Sequence, residues 1–175
     1  MAGAVIGLLI LYNRQLKGMP GIGNLVIGLL AGCSLLTGGV AAGGLQFSVL
    51  AQLWPLVALL ALFVTAREVL KTVEDSRGDR AAAKQTLATR WGSQKTLWIF
   101  AGLTLQLLFI TIYVYWTTGR SMLYLGAMAV GIIGPLCYSF IYLRQNAAPA
   151  RVAHCLALLK GSYFVGILAL LFLVN

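Results

Sequence analysis

Five long apolar segments dominate this sequence and restrict what it can fold into. They cover residues 22–41, 45–66, 96–116, 121–143 and 152–174. Each is about 20 residues long, and a helix of that length, at a rise of about 1.5 Å per residue, crosses a hydrocarbon core of about 30 Å. The mean hydropathy of the chain is +0.90, which agrees with this interpretation. We therefore predict an all-α, multi-pass membrane protein that forms a single helix bundle over residues 1–175.

A sixth apolar run, residues 2–12, has about half the length of a membrane span. It lacks the basic start and the small-residue cleavage site that are typical of a signal peptide. We interpret it as the last half of a spanning helix whose beginning lies outside this sequence.

The basic residues predict the orientation of the chain. Eleven of the thirteen Lys and Arg residues lie in the loops after residues 12, 66 and 143, whereas the two intervening loops hold only Arg120. Loops rich in Lys and Arg face the cytoplasm, so we expect these three loops there, in a protein of the cell membrane. Because the bases lie between apolar segments, the net charge of +9 favours membrane orientation and anion binding over nucleic-acid binding.

All four acidic residues lie in one stretch, REVLKTVEDSRGDR, at residues 67–80. If this stretch is helical, Asp75 and Asp79 project from one face about 6 Å apart, and Glu68 and Lys71 join the same stripe. Carboxylates without a nearby His or Cys favour a hard cation such as Mg²⁺, which keeps several waters and bridges carboxylates to phosphate. The surrounding bases suit a diphosphate. The alternative is a solvated, salt-bridged loop that anchors the protein at anionic headgroups.

Residues 67–92 resemble the second aspartate-rich segment of the UbiA superfamily of intramembrane prenyltransferases. They are most similar to the branch of geranylgeranylglycerol-phosphate geranylgeranyltransferases, with the pattern RE-x-x-K-D-x-E-D-x-x-G-D, then T-L-P and Gly. The matching residues are Arg67, Glu68, Lys71, Glu74, Asp75, Gly78, Asp79, Thr86, Leu87 and Gly92. The stretch YNRQLK at residues 12–17, followed by Gly23 and Asn24, resembles the family's Y-[SN]-x-x-L-K segment and G-N helix start. Lys160 resembles a basic residue of the family's last span.

The sequence also departs from the family pattern. Members have nine spanning helices and two aspartate-rich motifs, and this chain matches roughly the last five and a half helices. The first motif, N-D-x-x-D-x-x-x-D, does not occur in the 175 residues. Thr72 replaces an aspartate of the second motif, and Ala88 replaces the proline of T-L-P. We therefore expect the C-terminal part of such an enzyme, with a separate chain that carries the missing N-terminal helices as a candidate partner.

The resemblance implies Mg²⁺-dependent transfer of a prenyl group from a polyprenyl diphosphate to a lipid acceptor, geranylgeranylglyceryl phosphate, in ether-lipid synthesis. One alternative is an aromatic acceptor in quinone or haem synthesis. Another is an inactive membrane fragment or partner subunit that lacks the first motif. A neighbouring reading frame that carries this motif would favour a split or truncated enzyme over the inactive alternative.

The resemblance also implies roles for individual residues. Asp75 and Asp79 would bind Mg²⁺, and Glu68 and Lys71 would be catalytic, with Glu68 either pairing with a base or orienting the acceptor. The diphosphate contacts would be Tyr12, Asn13, Lys17, Arg67, Lys71 and Lys160. A base inside a span, such as Lys160, faces a polar cavity or extends its side chain to the interface. Five aromatic residues are candidates for a prenyl tunnel, or else ordinary core or interfacial residues: Phe63, Tyr113, Tyr115, Tyr138 and Tyr142.

Overall fold

The computed structural model describes residues 19–43, 47–118 and 121–172, together with positions 3, 6, 7 and 10. In these residues the chain is helical and contains no β-strand. The helices are α1 (Ile22–Gly43), α2 (Phe47–Glu74), α3 (Ser76–Ala81), α4 (Leu87–Thr117), α5 (Met122–Met128), α6 (Gly134–Gln145) and α7 (Pro149–Leu171). Five helical units are long and apolar enough to cross a membrane. The predicted all-α transmembrane architecture is confirmed, while most of the 2–12 segment lies outside the described residues.

Helix α2 extends well beyond the apolar segment predicted at 45–66. It continues to Glu74 because its buried face continues, with Ala66, Leu70 and Val73 at helical spacing and each at most 2% exposed. The Arg, Glu and Lys residues added at this end are good helix formers. The segment 67–95, which the hydropathy pattern assigned to a loop, is therefore mostly helical.

The chain turns back toward the membrane between α3 and α4. The threonine pair Thr86 and Thr89 closes a capping box at the start of α4, in which the Thr86 N–H donates to Thr89 Oγ1 at 2.7 Å. Leu87 and Ala88 are buried directly after the cap. Gly92 then bends α4, with φ 80° and ψ 161°, a conformation that is essentially restricted to glycine. Helix α4 thus begins nine residues before the predicted span.

Helices α5 and α6 form one membrane-crossing unit around a π-helical turn, Ala129–Ile133. The turn immediately precedes Gly134 and Pro135, and proline has no N–H to donate to the turn before it. A π-helical turn is a common way to accommodate such a break inside a long helix. Gly131, in this turn, packs directly against Val165 of α7.

The bundle is built on α2, which contacts α1, α4 and α7. Helix α1 approaches it through glycines: a Cβ at Gly28 would clash with the Ala61 carbonyl oxygen, and one at Gly32 would lie 3.1 Å from the Val57 carbonyl oxygen. Small residues allow helix backbones to approach this closely in a membrane protein. On its other side α2 packs against a core whose fully buried side chains include Tyr124, Phe100, Leu70, Leu107 and Leu159.

Candidate functional site

The charged end of α2 presents an open face opposite its buried face. Helical geometry places Glu68, Lys71 and Asp75 on this face, on the far side from Leu70 and Val73. The helical hydrogen bonding continues through the α2–α3 junction: the Asp75 N–H donates to the Lys71 carbonyl at 3.0 Å. The Asp79 N–H likewise donates to the Asp75 carbonyl at 2.9 Å. Asp79 therefore extends the same stripe, which we call the charged face of α2 (Glu68, Lys71, Asp75 and Asp79).

The two aspartates differ in their surroundings. Asp75 is exposed, and no side chain among the described residues contacts its carboxylate. The Asp79 side chain is only 14% exposed, and its Oδ1 lies 3.7 Å from Lys84 Nζ. A pair of carboxylates spaced in this way fits a hard cation that retains several waters. The described part of the chain contains no group of three or more His, Cys, Asp or Glu residues that could complete a metal site.

Glu68 forms an ion pair with its neighbour Arg67. Arg67 Nη1 donates to Glu68 Oε1 at 2.9 Å, and the two side chains are only 25% and 17% exposed. Adjacent residues of a helix do not face each other, so both side chains must bend toward shared space. Arg67 Nε is buried and has no hydrogen-bond partner among the residues that the structure describes. The pair is therefore neutral overall but retains unused hydrogen-bonding capacity.

An apolar cavity of about 430 Å³ lies between α1, α2, α4, α5, the π-helical turn and α7. Its volume falls within the range of about 300–1,000 Å³ that is typical of small-molecule sites. Its lining is almost entirely aliphatic and aromatic and includes Gly38, Leu56, Leu60, Leu107, Met128 and Ile132. Such a cavity suits a hydrocarbon chain.

The cavity reaches the charged end of α2 at Phe63 and Tyr163. Their rings pack edge to face with centroids 5.0 Å apart, and both line the cavity. Arg67 follows Phe63 by one turn on the same side of α2, so the ring of Tyr163 packs one turn away from the Arg67–Glu68 pair. We call this junction of cavity and ion pair the neck (Phe63, Arg67, Glu68 and Tyr163). Tyr163 was missed in the sequence, although Lys160, Ser162 and Tyr163 form a polar cluster in an otherwise apolar span.

The remaining predicted residues are placed as follows. Lys160 is exposed and precedes Tyr163 by one turn on α7, about 16 Å along the helix from Pro149. Tyr12, Asn13 and Lys17 lie outside the described residues. Of the five aromatic candidates, Phe63 lines the cavity, whereas none of the four tyrosines at positions 113, 115, 138 and 142 does.

Comparison with known proteins identifies the family. A model described as the UbiA prenyltransferase family matches residues 1–161. The digeranylgeranylglyceryl phosphate synthase of Thermococcus kodakarensis is 34% identical over 167 residues, which cover 92% of this chain and 55% of that protein. The enzyme of the same name from Methanosarcina mazei is 39% identical over 124 residues, or 70% of this chain and 42% of that protein.

A solved structure from work on digeranylgeranylglyceryl phosphate synthase in membranes has the same fold. It matches with a TM-score of 0.83 and 25% sequence identity, over 99% of this chain and 59% of that one. The chain thus spans about half the length of the relatives to which it is similar. A family match over most of the 175 residues, supported by relatives and by the fold, shows that this chain belongs to the UbiA prenyltransferase family.

Proposed function

We propose that the protein transfers a prenyl group from a polyprenyl diphosphate to a lipid acceptor, geranylgeranylglyceryl phosphate, in ether-lipid synthesis. The observation that carries this proposal is an apolar cavity that is lined on α2 as far as Phe63, with the charged end of the same helix beginning one turn later at Arg67. A prenyl diphosphate has the same two parts, an anionic head and a hydrocarbon tail. The similarity to digeranylgeranylglyceryl phosphate synthases supports this choice of acceptor.

The diphosphate head is expected at the charged face of α2. Asp75 and Asp79 would hold Mg²⁺, which when bound would neutralise the diphosphate and make it a better leaving group. Lys71 lies on the same face, and Lys160, one turn before Tyr163 on α7, would add a second base. Tyr12, Asn13 and Lys17 would add contacts from the preceding loop. Since Arg67 is paired with Glu68, it offers the diphosphate only its remaining N–H groups.

In the proposed reaction the allylic C–O bond to the diphosphate breaks and the electron pair leaves with the diphosphate oxygen. The acceptor oxygen then forms a bond to the allylic carbon and loses its proton. Lys71 and Lys160 would stabilise the negative charge that develops on the leaving group, because cations beside the diphosphate favour its departure. The apolar wall of the cavity keeps water from the allylic cation.

The distribution of bases supports a cytoplasmic position for the charged face, at the headgroup level of the inner leaflet. We also propose a partner chain that supplies further helices and a second group of carboxylates. Two carboxylates leave most Mg²⁺ positions to water and substrate, so a second group would strengthen metal binding.

The test is the substitution of each metal-binding candidate in turn. We expect Asp75→Ala or Asp79→Ala to reduce Mg²⁺-dependent transfer by at least about 100-fold, because each removes a charge that holds the leaving group. Transfer is measured in detergent with radiolabelled geranylgeranyl diphosphate and geranylgeranylglyceryl phosphate. The chain is assayed alone and co-expressed with the N-terminal portion of the Thermococcus kodakarensis relative.

Glu74→Ala is the matched control, because Glu74 ends α2 beside the charged face and not on it. This variant should retain transfer within about twofold, since the Glu74 side chain lies off the face where the metal is expected. Full transfer in Asp75→Ala would refute the metal assignment. Diphosphate binding without transfer, with and without the added helices, would instead support a non-catalytic binding subunit.

A further inference from the structure

The neck contains hydrogen-bonding groups beyond those that would contact the diphosphate and its metal. Three groups converge there: the Arg67–Glu68 ion pair, the buried Arg67 Nε, and the Tyr163 side chain that packs on Phe63. Each has unused hydrogen-bonding capacity. Among the described residues, neither Glu68 Oε2 nor the Tyr163 hydroxyl has a hydrogen-bond partner.

The charge of this site selects its ligand. Arg67 and Glu68 cancel each other, so the residues of the neck carry no net charge, and the nearest other bases, Lys71 and Lys160, are exposed and are assigned to the diphosphate. Bringing an uncompensated anion into a half-buried site beside an apolar cavity is unfavourable. A neutral group that both accepts and donates hydrogen bonds is favoured instead.

A hydroxyl group matches this set of donors and acceptors. It can accept a hydrogen bond from Arg67 Nε–H or from the Tyr163 hydroxyl and donate its own proton to Glu68. Burying a polar group without such partners is unfavourable, so a ligand that satisfies Arg67 Nε gains affinity. The hydroxyl must belong to a molecule with a hydrocarbon chain, because the neck opens directly into the apolar cavity.

We propose that Arg67, Glu68 and Tyr163 bind the free hydroxyl of the lipid acceptor, with Tyr163 fixing its position at the neck. This inference rests on the proposed prenyl transfer and specifies how its acceptor is recognised. As the acceptor oxygen bonds to the allylic carbon, its proton passes to the Glu68 carboxylate. The neck would therefore select an aliphatic alcohol as the acceptor, because its hydrogen bonds are made to the hydroxyl oxygen that reacts.

A binding experiment tests this without turnover. 3-Fluorotyrosine is placed at position 163 of the full chain in nanodiscs and followed by ¹⁹F NMR. Geranylgeranylglyceryl phosphate should produce a saturable shift, and its methyl ether, with the hydroxyl capped, should produce less than about a third of it. The control is 3-fluorotyrosine at Tyr138, which is 45% exposed and outside the cavity lining, and should not shift. Equal shifts with both lipids, or no shift with either, would overturn the inference.

Kinetics separate this inference from the proposed function. In an active preparation Tyr163→Phe should raise the KM for the acceptor about tenfold, as expected for one lost hydrogen bond, and leave the KM for prenyl diphosphate unchanged. Glu68→Gln should reduce kcat for transfer to the lipid acceptor. Release of diphosphate by hydrolysis of the prenyl diphosphate should continue in this variant. Unchanged acceptor KM in Tyr163→Phe, with wild-type transfer intact, refutes only the hydroxyl site. Absence of diphosphate release from the wild type refutes the proposed function, and the NMR result still decides whether Tyr163 binds the hydroxyl.

Discussion

The α1–α2 interface and the charged face of α2 lie along the same helix but differ in how completely their groups are satisfied. At the interface, Gly28 and Gly32 bring α1 against the α2 backbone with no room for an added methyl group. On the charged face, the Asp75 carboxylate has no protein partner among the described residues. The α1–α2 interface is closely packed because it has a structural role. On the charged face, where we expect ligands, polar groups keep free hydrogen-bonding capacity.

The largest expected effect on stability comes from adding a methyl group at the α1–α2 interface. Gly28→Ala should lower the free energy of unfolding by about 3 kcal/mol, because the methyl group would overlap the Ala61 carbonyl and the Thr65 hydroxyl. Thermal unfolding in detergent measures the loss.

Gly38→Ala is the matched control on the same helix. A Cβ at Gly38 meets no atom within 4 Å, so its melting temperature should stay equal to that of the wild type or rise slightly. Equal destabilisation by both substitutions would mean that glycine flexibility, and not close approach of the helices, stabilises this interface.

A smaller loss is expected where α4 bends beside the charged segment. Gly92→Ala should cost about 2 kcal/mol, because a side chain at φ 80° and ψ 161° is strained even though the site has space for a methyl group. Gly102→Ala, later in α4 and also with open space, should cost nothing. Thermal unfolding of both variants tests this, and equal stability of the two would show that the bend is not enforced by Gly92.

The smallest effect should come from the helix cap between α3 and α4. Thr86→Ala should cost about 1 kcal/mol, because it removes the side-chain oxygen that accepts from the Thr89 N–H. Thr86→Ser restores that oxygen and should recover most of the stability in the same unfolding measurement. If serine proved as harmful as alanine, the capping interaction would not be the cause.

The apolar segments predicted the membrane helices well because long hydrophobic runs have few alternatives in a bilayer. The ends of these helices were predicted less well where a helix continues into a charged segment. Hydropathy ended the second full span at residue 66, whereas α2 continues to Glu74 on a buried face that carries Leu70 and Val73. A sliding average cannot detect a helix that is apolar on one side and charged on the other.

The candidate site likewise has residues that the sequence predicted and one that it did not. Asp75 and Asp79 were identifiable from their spacing and from the family pattern, and the continuous helical hydrogen bonding places them on one face. Tyr163 was not, because it is distant in the chain from Glu68 and meets it only through the packing of α7 on α2. Its assignment as an acceptor contact remains a proposal.

The sequence alone determined that this chain forms membrane helices, that its acids and bases gather at one end of α2, and which family it resembles. These follow from local composition and spacing, which do not depend on distant contacts. Tertiary structure alone decided where α1 and α7 meet α2, and hence that Phe63 and Tyr163 line one apolar cavity a turn away from the Arg67–Glu68 pair. The physical reason is that close helix packing depends on the shapes of surfaces far apart in the chain, such as Gly28 against Ala61.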